Sequence, residues 1–242
     1  MGPVKFWGEI MNITTPENSA DKWNAEIKRE NQAQKYPKWP NEVMVKTLFG
    51  GGSYLKKPFK PSPEWRVLDV GCGFANNLVP FADIGCECHG VDLHPEMAGT
   101  VQTIMDKRGY KTNIQVGSNR SLPYPDNHFD LLLSVNTMHY EGSHKNILLA
   151  LKEFRRVLKP NGGVYISTVG PEHKIYKQAK LLGQHKYLVQ NFDFRDGEEF
   201  FFFDTEEYLK HYCEQFFTSV ETGRVTEKLP NLPLDFLVCL CR

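Results

Sequence analysis

The sequence predicts an α/β protein: a largely parallel sheet with helices on both faces. Two observations carry this. From residue 65 onward, short apolar runs rich in Val, Leu and Ile alternate with helical stretches, the pattern of strand–helix–strand units. The first run ends in Gly71-Cys72-Gly73 and passes at once into a helical stretch, a turn whose glycines let the backbone approach a ligand closely.

Taken in order, residues 1–62 are polar and aromatic, with helices expected over 17–34 and 41–49. Gly50-Gly51-Gly52 ends the second, and Pro58, Pro61 and Pro63 mark a linker, so residues 1–62 are expected as a helical cap and 63–242 as the main domain. Strands are expected over 65–70, 87–92, 113–116, 129–135 and 163–169, with helices over 76–83, 95–108 and 144–158. Asp204-Thr205-Glu206-Glu207 has capping-box spacing and predicts a helix running to about 216. Residues 219–226 and 234–241 read as a closing antiparallel pair of strands. Residues 170–203 fit no sheet element. They are rich in aromatics, and a long segment there is expected as a cap inserted over a site. Its run Phe200-Phe201-Phe202-Phe203 reads first as packing material.

Composition narrows the function. Of the 242 residues, 29 are Lys or Arg and 29 are Asp or Glu, a formal net charge of zero. Such a chain steers poorly toward nucleic acid or anionic lipid, so neither is an expected partner. No apolar run has the length of a membrane span, and the N-terminus shows no secretory pattern, so a cytoplasmic location is expected. The six cysteines include two Cys-x-Cys pairs, Cys86/Cys88 and Cys239/Cys241, on strand-like runs that would put both thiols on one face. The spacing is tighter than structural-zinc motifs use, and buried reduced thiols are expected.

The chemistry gathers at strand ends. Asp69 stands two residues before Gly71, and Asn76 occupies the place of the third glycine of a dinucleotide fingerprint. An anion there opposes a pyrophosphate and suits a ligand carrying an ammonium. Asp92 closes the second strand, where a carboxylate can accept from both hydroxyls of a ribose; a helix cap before Pro95 is its alternative role.

At this point the chain resembles the class I S-adenosylmethionine-dependent methyltransferases. Val67-Leu68-Asp69-Val70-Gly71-Cys72-Gly73 looks like their first motif. Leu122-Pro123-Tyr124-Pro125-Asp126-Asn127-His128-Phe129-Asp130 looks like the segment leading into the fourth strand. Arg156-Val157-Leu158-Lys159-Pro160-Asn161-Gly162-Gly163 looks like the turn into the fifth. The resemblance covers residues 65–170. It implies a Rossmann-like seven-stranded sheet of order 3-2-1-4-5-7-6 with strand seven antiparallel, and S-adenosylmethionine as cofactor. It further implies that Asp69, Gly71 and Gly73 hold the methionine part, that Cys72, Asn76 and Asn77 of the same turn bind the cofactor, and that Asn136, after strand four, lies near the methionine part. Asp92 matches the ribose ligand and Leu93 lies beside the adenine. The family often has Asp at the position of Ser118; here Ser118 and Asn119 are neutral, so an adenine contact is weaker or is supplied by Asn119.

The segments around Tyr36-Pro37-Lys38-Trp39-Pro40-Asn41-Glu42, 168–173 and 193–197 are similar to methyltransferases of bacterial surface-carbohydrate biosynthesis. A small polar acceptor is therefore expected, with a sugar or sugar-nucleotide hydroxyl first and another metabolite or a lipid as alternatives. A hydroxyl needs a base, for which His139 is the first candidate and His173 the second. Tyr36, Trp39 and Tyr140 are expected as walls, and Arg195 as a holder of an anionic group or, more plainly, one half of a surface ion pair. His139, Glu141 and His144 lack a ligand signature, so no metal is expected. A nicotinamide-dependent oxidoreductase and a non-catalytic cofactor-binding scaffold are the competing classes. Asp69 and the missing glycine oppose the first, while the intact cofactor motif does not by itself exclude the second.

Overall fold

The computed structural model describes residues 16–33, 38–50, 56, 60–228, 230 and 233–242; Tyr36, Gly51, Gly52 and Pro58 lie outside them. Helices α1 (Pro16–Gln32) and α2 (Glu42–Phe49) precede the sheet. Strand β1 (Arg66–Val70) pairs in parallel with β2 (Glu87–Asp92) on one side and with the strand Phe129–Val135 on the other. With β3 (Thr112–Val116), this last is β4 in chain order, and β5 (Leu158–Val169) lies beyond it. Three short strands follow: β6 (Lys180–Gly183), β7 (Lys186–Leu188) and β8 (Glu199–Phe201). The chain closes with β9 (Val220–Lys228) and β10 (Pro233–Cys241), β10 running antiparallel to both β5 and β9. The main sheet has the order β3-β2-β1-β4-β5-β10-β9. Counted within that sheet it is the expected 3-2-1-4-5-7-6, Rossmann-like.

Helices cover both faces: α3 (Val79–Asp83), α4 (Pro95–Lys107) and α5 (His144–Val157) join the parallel strands, and α7 (Glu206–Cys213) follows the short α6 (Lys174–Gln178). Alternation along the strands builds two cores. Leu68 and Leu132 pack with Ile147, Leu151 and Phe154 of α5, whereas Val67, Leu131 and Leu133 pack with Phe81, Val101 and Met105 on the opposite face. Met44 and Leu48 of α2 are buried in that second core, so α2 packs on the sheet itself. Asn41 caps α2 by accepting from Met44 N at 2.9 Å.

Residues 170–203 differ from the expectation of no sheet element: β6, β7 and β8 form a separate antiparallel three-stranded sheet. Each strand is four residues or fewer, too short for a period-2 signal, and β6 is exposed along its length. The Phe run is packing material with a division of labour. Phe201 and Phe203 face the α5/α7 core, while Phe200 and Phe202 face a small core with Val169, Ile175 and Val189. The predicted helix after Thr205 forms but stops at Cys213 rather than 216.

Candidate functional site

The order of strands reverses at β1, and the turn after it opens at the carboxyl edge of the sheet, where open α/β sheets bind ligands. Gly71 has φ +66°, and a Cβ there would fall on the Thr137 side chain. Asp69 is fully buried at the end of β1. Its Oδ2 accepts from Asn77 Nδ2 at 3.4 Å, and its Oδ1 has no hydrogen-bond partner among the described residues. Burial, reinforced by the nearby Asp92, pushes its pKa up to about 8. Asp92 accepts from Gly73 N at 3.0 Å and Leu93 N at 2.7 Å; burial still raises its pKa to about 6. Asn77 also accepts from Asn41 N at 2.9 Å, which ties α2 to the turn.

Beside the turn lies a cavity of about 330 Å³. One wall is Cys72, Gly73, Asn76 and Asn77; the other is aromatic and acidic, with Trp23, Glu26 and Glu30 of α1 joined by Trp39, Phe74 and Phe194. Trp39 is 85% exposed at the rim. Helix α1 is held over the opening by polar ties near its middle: Lys22 Nζ donates to Asp196 O at 2.7 Å, and Asn24 Nδ2 to Glu96 Oε2 at 3.0 Å. The Trp23 ring meets Phe194 edge-on at 4.8 Å.

The matches with known proteins agree with this geometry. Residues 68–166 match the family model described as a methyltransferase domain. The uncharacterized methyltransferase YcgJ of Bacillus subtilis is 35% identical over 101 residues, 41% of this chain and 38% of that one. Norajmaline N-methyltransferase of Rauvolfia serpentina is 34% identical over 105 residues, 42% of this chain and 35% of its own. The chain thus matches well under half the length of these two curated relatives. A SAM-dependent methyltransferase structure from Methanosarcina mazei superposes with TM-score 0.63 at 18% identity, covering 84% of this chain and 98% of that one. The 1,6-didemethyltoxoflavin-N1-methyltransferase of Burkholderia thailandensis does so with TM-score 0.60 at 19% identity, covering 95% and 90%.

Residues 68–166 form a class I methyltransferase domain. Its cofactor is S-adenosylmethionine, and the residues present fit that group: the partnerless Oδ1 of buried Asp69 is an acceptor waiting for a cationic donor.

The remaining candidates of the methyltransferase domain are distributed unevenly. Leu93 is exposed beside Asp92. Asn136, with φ +58°, follows β4 and accepts from Ser167 Oγ at 3.3 Å. Asn76 Oδ1 accepts from Arg108 Nη1 at 2.7 Å. Ser118 is bridged to Ser121 through backbone bonds. The Asn119 side chain turns inward: its Nδ2 donates to Glu141 Oε1 at 2.9 Å and its Oδ1 accepts from Thr137 at 3.4 Å. Glu141, itself buried, pairs with Arg120 at 2.8 Å.

His139 is 3% exposed, its Nδ1 lies 3.2 Å from Thr168 Oγ1, and its ring packs on Tyr140 and Phe200. Burial, with Arg195 nearby, holds its pKa well below the ordinary value. His173 caps α6 by accepting from Ile175 N at 3.1 Å, and burial lowers its pKa to about 4. Neither lines the cavity. Arg195 pairs with Asp193 and lies over Phe192 and Phe194 at 4.8 and 5.2 Å. With Tyr140, whose ring is 6.1 Å from Trp23, it supports the aromatic wall from behind. Trp23, Glu26 and Glu30 were not singled out in the sequence. Their spacing of three and then four residues, one face of a helix, was the available signal.

Proposed function

We propose that the chain is a methyltransferase that moves the methyl of S-adenosylmethionine to a small polar acceptor, first of all a hydroxyl of a neutral sugar. The orphaned Asp69 Oδ1 beside the Gly71-Cys72-Gly73 turn supports the cofactor. When bound, the cofactor supplies a methyl on a sulfonium, open to in-line attack. Asp69 then holds its ammonium, Asp92 accepts from its ribose hydroxyls, and the open glycine turn admits its methionine part. Helix α1 and residues 170–203 act as the cap, orienting the acceptor and excluding water. Orientation of this kind supplies several kcal/mol, roughly 7–11 at best.

The acceptor reading rests on the cavity wall. Aromatic faces from Trp23, Trp39 and Phe194 suit sugar C–H surfaces, and the Glu30 carboxylate accepts from hydroxyls, whereas both oxygens of Glu26 are held by Arg29. The Glu30 carboxylate opposes phosphate, which favours a neutral sugar over a sugar nucleotide. We assign the base role to His139 ahead of His173 for its place directly after β4; burial keeps it neutral at pH 7 while lowering its basicity, and its ring stands outside the cavity lining, on Tyr140 and Phe200. The six cysteines are unpaired, which supports a reducing compartment such as the cytoplasm.

Binding calorimetry with S-adenosylhomocysteine tests the cofactor, and a screen of neutral sugars, sugar nucleotides and amines for S-adenosylhomocysteine release tests the acceptor. Binding of NADH but of neither S-adenosyl compound overturns the assignment. His139→Ala is expected to cut turnover about a hundredfold with cofactor affinity nearly intact. A loss below about threefold moves the test to His173.

A further inference from the structure

We propose that Cys213, Cys239 and Cys241 form a three-thiolate site for a soft d10 metal ion, monovalent copper in the first place. Cys239 and Cys241 share one face of β10, and Cys213 ends α7, which packs on that face. All three are fully buried and unpaired. Their sulfurs lie within 4.8 Å of one another, at 3.7 Å between Cys213 and Cys239 and 3.3 Å between Cys239 and Cys241. Metal–thiolate bonds of about 2.3 Å put two sulfurs on one ion roughly 3.8–4.0 Å apart. The first spacing therefore already suits an ion, and the second needs to open by roughly half an ångström.

The donor set decides the ion. Three sulfurs and no histidine or carboxylate make up the cluster among the described residues. Structural zinc takes four ligands, whereas soft thiolates select monovalent copper. The surroundings, Leu209, Tyr212, Phe217 and Leu237, are largely apolar. Binding of one Cu(I) by three thiolates releases three protons and leaves the site with a net charge of −2, with no change in oxidation state. Because the thiols are sealed from solvent, the ion enters as the chain folds, and once in place it ties α7 to β10.

The full chain is unfolded, reduced and refolded anaerobically with Cu(I) or with Zn(II) alone, and its metal content is measured after desalting. About one copper per chain is expected, with X-ray absorption reporting three sulfur neighbours. Cys86→Ser, outside the cluster, keeps the ion; Cys213→Ser and Cys239→Ser lose it about tenfold or more. The copper-loaded wild type melts higher than the metal-free chain, and Cys213→Ser shows no such rise. Should either serine variant fail to fold, the sulfur count in the wild type decides. Copper below about a tenth of an equivalent overturns the proposal, as do a two-sulfur site, preferential zinc retention or a Cys213–Cys239 disulfide in a peptide map.

Discussion

Asp92 shows how much one carboxylate does at this site. It accepts from two backbone N–H groups, of Gly73 and Leu93, and so shapes the turn before any ligand arrives. Asp92→Ala is expected to weaken S-adenosylhomocysteine by about 1–3 kcal/mol, the cost of lost hydrogen bonds to a charged acceptor. It also lowers the melting temperature, because both N–H donors lose their partner. Calorimetry and a thermal melt separate the two effects, and unchanged affinity would reduce Asp92 to a structural acceptor. Gly71→Ala is expected to destabilise the fold as well, since its φ of +66° and the Thr137 side chain both oppose a Cβ. Gly71 was legible because its logic is local, a strand end with Asp69 and two glycines within five residues, and Asp92 because it closes the second strand. Asn119 was not. Its partner Glu141 is 22 residues away, and only tertiary packing decides which way an amide points.

Helix α2 was legible as a helix but not as core. Its Met44 is fully buried and Leu48 is 3% exposed, against β1 and α3. Met44→Ala is therefore expected to cost about 2–5 kcal/mol in chemical denaturation. Helix α7 starts one residue later than the capping-box spacing at Asp204 implies: Thr205 is the cap, its Oγ1 accepting from Tyr208 N at 3.1 Å, and Thr205→Ala should cost about 1 kcal/mol. The cap segment 170–203 was only half legible. Its aromatic content showed that something must be buried, but strands of three or four residues leave no periodicity to read. The tight return between β6 and β7 uses positive φ at Gly183, Gln184 and His185, where only Gly183 signals it. The division of the Phe run between two cores depends on β8 standing between them, a fact of topology that composition does not carry.

At the site and beside it, four buried groups of two kinds should make the molecule answer to pH. Asp69 and Asp92 titrate near 8 and 6, both raised by burial. Relative to the unfolded chain they hold extra protons, so their stabilising contribution is full below about pH 4 and is lost as pH rises toward 8. His139 and His173 are lowered, the latter to about 4. Their contribution is full above about pH 6.5 and is lost as pH falls. The two slopes oppose each other between about pH 4 and 6.5, and above that range Asp69 is the one of these four groups still titrating. Relative to Asp69→Asn, the ligand-free wild type is thus expected to lose stability from about pH 6.5 to 8. Binding reverses the preference, because a ligand ammonium at Asp69 Oδ1 requires the carboxylate. Below the Asp69 pKa, S-adenosylhomocysteine should release close to one proton and bind about tenfold tighter for each pH unit gained. Calorimetry at pH 6.5 in two buffers of different ionisation enthalpy counts that proton directly. Asp69→Asn should abolish both the proton release and the slope; a wild type that binds with no proton exchanged would mean that the ammonium sits elsewhere and that Asp69 is a buried structural acid.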